Sequence, residues 1–374
     1  MLRDMFSLKE IRNYKFRIYP NIEQARKLTN WLQTCRVIYN SALADRKNRY
    51  ERTGTGLTRA AQQVILKADK VNHPQVKEVH SQVAQEILFR VERAYNNFFC
   101  RVKAGKKPGY PRYKGPGQYK SLTFTQFGDG LGATFKNSKL KLSKVGLVKI
   151  DLHREIYGTV KTCTVKREQS GKWYAILTVE EYPVLYSPNW QSVGIDVGIK
   201  EFVVLSDGEK IANPRHLQKS ERKLKTLQKS LSRKKKGSKN RTKARLKLAR
   251  QHEKVRNQRK DFHHKVSSQL VWRYGTIVVE DLQIQNMVKN HNLAKSISDV
   301  GWGEFISMLS YKAESAGRVL EKVPPHGTTQ KCSQCGNIVK KNLSVRIHIC
   351  PHCGLVMDRD HNAAINILQK YKAS

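Results

Sequence analysis

Four cysteines near the end of the chain have the types and spacing of a metal site. Cys332-Ser-Gln-Cys335 is followed, fourteen residues on, by Cys350-Pro-His-Cys353. Two such C-x2-C pairs can bring four thiolates onto one tetrahedral zinc ion. Gly336 and Gly354 come directly after the pairs, and glycine suits the tight turn that wraps backbone around a metal. Four protein ligands leave no open position, so zinc held there is structural and the chemistry must lie beside it. His326, His352 and His361 are surplus to that ligand set and read as loop or nucleic-acid-facing residues.

Three carboxylates carry the candidate chemistry. Asp196 interrupts the apolar strand Ser192-Val193-Gly194-Ile195-Asp196-Val197-Gly198, and Glu280 ends Thr276-Ile277-Val278-Val279-Glu280. Asp360 opens the last helix in Asp358-Arg359-Asp360-His361-Asn362-Ala363-Ala364-Ile365-Asn366. A buried carboxylate is costly unless it is paired or bound to metal. Three together repel one another, and a divalent cation resolves the repulsion; Mg2+ takes hard oxygen ligands and keeps several waters. Two such ions about 4 Å apart can activate water and stabilise the leaving 3′ oxygen of a phosphodiester. The plainer readings are a turn residue for Asp196, a surface acid for Glu280 and a helix N-cap for Asp360. Strand alternation lets only one of Glu280 and Asp281 face the site, and Asp281 already lies at the turn. Asp358 is the better N-cap of the last helix.

The elements that must position these residues sit in a chain of 374 residues, long enough for two or three domains with real cores. Lys and Arg number 71 against 30 Asp and Glu, a formal charge of +41. Such a field implies a polyanionic partner, with nucleic acid as the default. No run of 18 apolar residues exists, which argues against a membrane span, and the charged N-terminus MLRDMFSLKEIRNYKF is unlike a signal peptide. A ribosomal or histone-like protein fits the charge but not the length or the 39% hydrophobic content. Cys35, Cys100 and Cys163, widely spaced in apolar settings, read as buried free thiols in a reducing compartment.

Tyr14 to Tyr19 alternates apolar and basic residues as a half-buried strand does. Val76, Val79, Val83, Ile87, Val91, Ala94 and Phe98 keep a three-and-four spacing that predicts one amphipathic helix over 76–99. Its polar face holds Lys77, Ser81, Gln82, Gln85, Arg90 and Arg93, types able to reach base edges or phosphates. Residues 103–127 interleave Lys and Arg with aromatics, including Arg112, Tyr113 and Lys114, as an extended nucleic-acid surface does. An ordinary basic loop is the equal alternative. Repeated alternation from Leu122 to Val179 predicts strands that join 14–19 in a small antiparallel sheet or barrel, with the helical stretch 21–104 inserted. Tyr182 to Asn189 reads as a linker. Residues 215–260 carry 20 Lys/Arg against 2 Asp/Glu and two leucine-containing seams. They predict a helical hairpin whose basic tip, Arg233-Lys234-Lys235-Lys236, lies against a phosphate backbone.

The order Gly-Ile-Asp196-Val-Gly, Val-Val-Glu280-Asp-Leu, the paired C-x2-C and Asp-Arg-Asp360-His-Asn-Ala-Ala-Ile-Asn resembles TnpB, the OrfB-type protein of bacterial and archaeal insertion sequences. Tyr-Lys-Phe-Arg-Ile-Tyr-Pro at the start and Gly-Tyr-Pro-Arg-Tyr-Lys in the middle extend the likeness over most of the chain. The resemblance implies a multidomain α+β protein related to type V CRISPR effectors. A wedge-type β-barrel would occupy 1–20 and 110–186, with a helical recognition insert at 21–109. An RNase H-like RuvC nuclease domain would occupy 187–329 and 355–374, interrupted by a zinc ribbon at 330–354. It further implies a catalytic set Asp196, Glu280 and Asp360 holding Mg2+ (or Mn2+), structural Zn2+ on the four cysteines, and a guide RNA from the element's end. The partner would be double-stranded DNA recognised beside a short target-adjacent motif. Ser81, Gln82, Gln85 and the stretch that includes Thr123 and Thr125 are where motif reading is expected. The setting would be the prokaryotic cytoplasm and nucleoid, with the element's transposase as a functional partner. The expected function is RNA-guided DNA cleavage. The alternatives are a non-cleaving nucleic-acid-binding regulator of the same fold and a strand-transferring transposase.

Overall fold

Alternation along the first strand sets one face inward: β1 (Glu10–Tyr19) buries Tyr14, Phe16 and Ile18. The computed structural model describes residues 9–182, 187, 189–342 and 345–373. Most of the expected 182–189 linker and half of the charged N-terminal segment lie outside them. The chain divides into two compact units, Met1–Tyr182 and Pro183–Ser374.

In the first unit, β1 leads into α1 (Ile22–Thr53), started by a capping box in which Asn21 and Gln24 satisfy each other's backbone N–H groups. Then come α2 (Arg59–Asn72), α3 (Pro74–Glu78) and α4 (Ser81–Lys103). The single helix expected over 76–99 is therefore two. Val79 and His80 are extended between them, with Val79 buried and the His80 ring 5.6 Å from that of Phe124. Packing outweighs local periodicity here, and the apolar spacing survives because both helices face one core: Val76, Val83, Ile87 and Val91 are buried together.

Six further strands follow: β2 (Ser121–Phe124), β3 (Ala133–Lys136), β4 (Lys139–Leu142), β5 (Gly146–Asp151), β6 (Thr159–Arg167) and β7 (Trp173–Glu181). They pair antiparallel in the order β2-β6-β7-β1-β5-β4-β3. A bridge between Phe127 and Ala133 links the two edges, so the sheet nearly closes on itself. Cys35 and Cys163 are buried as expected, but Cys100 is exposed. It lies on α4 beyond Tyr95, the last residue the helix buries in the core.

The second unit begins with β8 (Ser192–Val197), β9 (Glu201–Leu205) and β10 (Lys210–Ala212). A long hairpin of α5 (His216–Ser232) and α6 (Lys239–Arg273) comes next, then β11 (Thr276–Glu280), the short α7 (Ile284–Met287), α8 (His291–Val300) and α9 (Trp302–Ser315). The chain ends with β12 (Val319–Val323), the hairpin β13 (Ile347–Ile349) and β14 (Val356–Asp358), and α10 (Arg359–Lys372). The main sheet runs β10-β9-β8-β11-β12. Its first three strands pair antiparallel, while β8, β11 and β12 are parallel. Ile195, Phe202, Ile277 and Val279 pack with Leu270 of α6 and with Phe305 and Leu309 of α9. Val278 points the other way, to Ile367 of α10. Leu224, Leu248 and Val255 close the helical hairpin, as the two seams predicted.

Candidate metal centres and nucleic-acid surfaces

Parallel pairing sets two of the acids side by side. Ile195 on β8 is in register with Val279 on β11, so Asp196 and Glu280 are the next residues of neighbouring strands at the same sheet end. The third acid arrives on α10, which crosses directly over β8. A Cβ at Gly194 would collide with the Ala364 carbonyl, so the absence of a side chain there is what lets the helix approach. Asp358 caps α10 by accepting from the N–H groups of Asp360 (2.9 Å) and His361 (3.2 Å), which leaves Asp360 one residue inside the helix.

The rest of the terminal motif anchors this helix. Asn362, fully buried, accepts from Ser333 N–H (3.0 Å) and donates to Lys331 O (2.8 Å). Asn366 donates to Thr328 O (2.8 Å) and Lys331 O (2.6 Å), while Ala363 and Ala364 are wholly buried. The helix is thus tied to the first cysteine pair by side-chain amides. His361, expected in a loop or facing nucleic acid, instead sits in the first turn of α10 with Nε2 3.2 Å from Ser206 O.

Burial pushes the Asp196 carboxyl well above its ordinary pKa, and the charges of Glu280 and Asp360 push it further. Burial also raises Glu280, against the opposing pull of the Thr328 hydroxyl, which donates to Oε1 at 2.5 Å, and of Lys370. Asp281 turns outward to Lys322, 3.6 Å away. Asp360 Oδ1 accepts from both Nε (2.9 Å) and Nη2 (2.8 Å) of Arg359, and Arg346 stands 3.6 Å from Oδ2. Arg359, Arg346 and Thr328 are the site residues that sequence reasoning missed. For Arg359 a signal existed, since a cation between two aspartates must meet one of them.

The four cysteines converge. Cys332 and Cys353 sulfurs are 3.7 Å apart, Cys335 and Cys350 sulfurs 3.6 Å, and all four lie within 4.8 Å of one another. Four sulfurs about 2.3 Å from a tetrahedral zinc would be about 3.8 Å apart, so the set fits that ion. Gly336 and Gly354 take φ of +78° and +76° and return their N–H groups to Cys332 O and Cys350 O. Among the described residues this is the only group of three or more His, Cys, Asp or Glu whose ligating atoms are mutually this close. The charges of Glu280 and Asp360 act on Asp196, but the three carboxylates stand further apart than the thiols.

The expected nucleic-acid residues are distributed as follows. Lys77, Ser81 and Gln85 are exposed. Gln82 bonds through its amide to Gln126, so the two stretches singled out for motif reading meet. Thr123 is engaged internally, with Arg90 Nη2 at 2.8 Å and Thr164 Oγ1 at 2.8 Å, and Thr125 is half-buried. Arg90, expected on the solvated face, is drawn inward by Tyr119, Ser121 and Thr123. Arg112 and Tyr113 are exposed, whereas Lys114 is half-buried. Arg233, Lys234, Lys235 and Lys236 are all exposed at the hairpin tip.

Comparison with known proteins first defines a fold. The chain resembles Cas12f1 in a complex with guide RNA and target DNA (TM-score 0.58, 16% identity, 96% of this chain and 98% of that one). It also resembles the mini-RNA-guided endonuclease CRISPR-Cas_phi3 (TM-score 0.57, 9% identity, 96% and 92%). These likenesses are of fold: mixed α/β with a nearly closed sheet. A Cas12f1-like TNB domain model matches residues 302–367. Family models for OrfB of IS605 type match 178–291, described as "Probable transposase", and 10–55, described as "Helix-turn-helix domain". The latter stretch is here strand β1 and helix α1. Over 96% of its length the chain is 37% identical to "Putative RNA-guided DNA endonuclease" of Streptomyces pristinaespiralis, covering 88% of it. It is 32% identical to "Putative RNA-guided DNA endonuclease InsQ" of Escherichia coli (strain K12), covering 92%. The chain belongs to the TnpB family.

Proposed function

We propose that this chain is an RNA-guided, Mg2+-dependent DNA endonuclease that cuts DNA complementary to its guide beside a short adjacent motif. The observation that carries the reading is the placement of Asp196 and Glu280 at one end of neighbouring parallel strands, with Asp360 on the helix that crosses β8, near enough that both other acids act on the Asp196 carboxyl. The names of the relatives point the same way. In this reading the second unit is an RNase H-like RuvC domain with a zinc ribbon inserted, and the first is a wedge barrel carrying a helical recognition insert.

The donor chemistry fits: three half-buried carboxylates, of which Asp196 and Glu280 have their ionisation held back by desolvation, suit Mg2+ or Mn2+. Bound there, the metal would supply water activation and stabilisation of the leaving 3′ oxygen. The chain's own part is to set Asp196 and Glu280 on a rigid sheet end, to orient Glu280 through Thr328, and to hold Asp360 through Arg359. The exposed cations at 233–236 would hold nucleic-acid backbones without reading sequence. The four-thiolate zinc site is closed, and its role is to fix α10 and hence Asp360.

The test is to express the protein with its native flanking DNA and sequence the nucleic acid that co-purifies. A discrete RNA with a variable end is expected, and it should direct cutting of a matching duplex. Asp196→Ala should bind that duplex and leave it whole. A heterogeneous mixture of host RNA would overturn the guided reading. The family model's transposase description favours one rival, strand transfer by the same acids; joined products in place of simple breaks would establish it.

A further inference from the structure

Apart from the acids, the first unit contains a pocket of about 420 Å3, within the range of about 300–1,000 Å3 typical of small-ligand sites. Leu43 and Lys47 of α1 form one wall, and the loop through Tyr110, Arg112 and Tyr113 forms the other. The loop is fixed on both sides. The Tyr110 hydroxyl shares a 2.9 Å hydrogen bond with that of Tyr95, and its ring stands edge-on to Phe98 at 5.4 Å. On the far side Asn40 clamps the backbone of Lys114, accepting from its N–H at 2.8 Å and donating to its C=O at 3.0 Å. Pro111 stiffens the segment between these anchors, and Pro108 stiffens the approach to the first.

A loop pinned in this way presents its rings without an ordering cost on binding. Tyr110 is 46% exposed and Tyr113 52% exposed, and along the chain Lys107, Arg112 and Lys114 flank them. Lys47 has an exposed partner in Glu51 at 3.7 Å, a surface pair that holds it weakly. Aromatic faces between basic groups, in a chain of charge +41, match a flat ring joined to phosphates. In a duplex both faces of a base are already stacked.

We propose that this pocket binds the base of one unpaired nucleotide, with Tyr113 stacking on the ring and Lys47 and Arg112 taking the flanking phosphates. This rests on the nucleic-acid reading above but not on cleavage. RNA and DNA share the required chemistry, and the two arms of the test separate them.

The experiment uses the full chain, stripped of co-purifying nucleic acid by high salt, in magnesium-free buffer. Labelled single-stranded RNA and DNA of one sequence carry a 5-iodo-pyrimidine at each position in turn, and photo-crosslinks are mapped by mass spectrometry. A crosslink at Tyr113 or Tyr110 is expected, and the strand type that gives it identifies the source. Tyr113→Ala should bind that strand about tenfold more weakly, the effect of one stacked base. The slope of affinity against salt should stay unchanged, because no phosphate contact is lost. Tyr113→Trp should bind as the parent does. Unchanged affinity in Tyr113→Ala, or a loss that Tyr113→Trp fails to restore, overturns the pocket while leaving the nucleic-acid reading intact. No binding of either strand by the parent chain overturns both.

Discussion

The second unit holds two donor clusters joined by one helix, and they are built on opposite terms. The four thiols lie within 4.8 Å of one another, the separation a tetrahedral ion requires. Of the three carboxylates, Asp196 and Glu280 are neighbours in register and Asp360 acts on Asp196 through its charge, but the three do not converge. Thiols can be packed together because neighbours share the proton load: backbone hydrogen bonding lowers Cys335 to about 6, while Cys353 is raised to about 12. Carboxylates at neutral pH cannot, and each of these three has a separate compensation. Asp196 is half-buried, and desolvation suppresses its ionisation. Glu280 accepts from Thr328. Asp360 is held by the Arg359 guanidinium. On the proposed reading, a site that only holds structure can be assembled beforehand, whereas one that admits a cation and a substrate keeps its charges apart until they arrive.

If that distinction is right, the two clusters should fail differently. Glu280→Gln keeps the shape of the side chain and removes its charge. Cleavage should fall by at least about a thousandfold, the several kcal/mol of charge stabilisation a metal provides. Zinc content, read by elemental analysis, should not change. Cys332→Ser should do the reverse first: zinc should be lost, and amide hydrogen exchange should rise across 330–354, because structural zinc contributes on the order of 10–16 kcal/mol to such segments. Cleavage should then fall as well, because Asn362 and Asn366 tie α10 to this segment. Full cleavage without zinc would show that the clusters are independent.

Much of this was legible in the sequence, and for identifiable reasons. The cysteine spacing is short-range, so it specified its own cluster. Asp196 and Glu280 stood out because a single acid in an apolar strand has few bland explanations, and Asp358 was the natural N-cap. What stayed hidden depends on contacts far apart in the chain. The break at Val79–His80 is stabilised by a ring on β2, more than 40 positions away, and no local pattern marks it. Arg90 carries the residue type of a solvated face, yet it is spent on Tyr119 and Thr123. Exposure of Cys100 reflects where the core ends, which periodicity cannot tell. Thr328 lies in an unremarkable turn, and only the fold brings it to Glu280.

Asn366→Ala tests the link between the clusters with a smaller perturbation. It removes the amide that donates to Thr328 O, while Lys331 O keeps its bond from Asn362. A buried acceptor left unpaired costs about 1–3 kcal/mol, which at this domain size lowers Tm by roughly 4–8 °C for ~2 kcal/mol. Zinc should be retained and cleavage reduced about tenfold, as with other supporting residues of metal sites. Loss of zinc in this variant would mean that the helix holds the cysteines rather than the cysteines the helix.

The smallest effect is the most direct measure of stored repulsion. Asp196 has a folded-state pKa above its unfolded value, because of burial first and its acidic neighbours second. The stability associated with such a group is fully present below the unfolded pKa of about 3.9 and is lost as pH rises through the raised folded value. In magnesium-free buffer at about pH 8, Asp196→Asn should therefore melt a few degrees higher than the parent. The gap should close as pH falls toward ~4, where the parent's own carboxyl becomes neutral. Added Mg2+ should raise the parent's Tm near pH 8 by mass action and leave the variant's almost unmoved. If Asp196→Asn melts at or below the parent near pH 8, the carboxyl is already compensated without a cation. The contrast with the thiol cluster would then lie in geometry alone and not in charge.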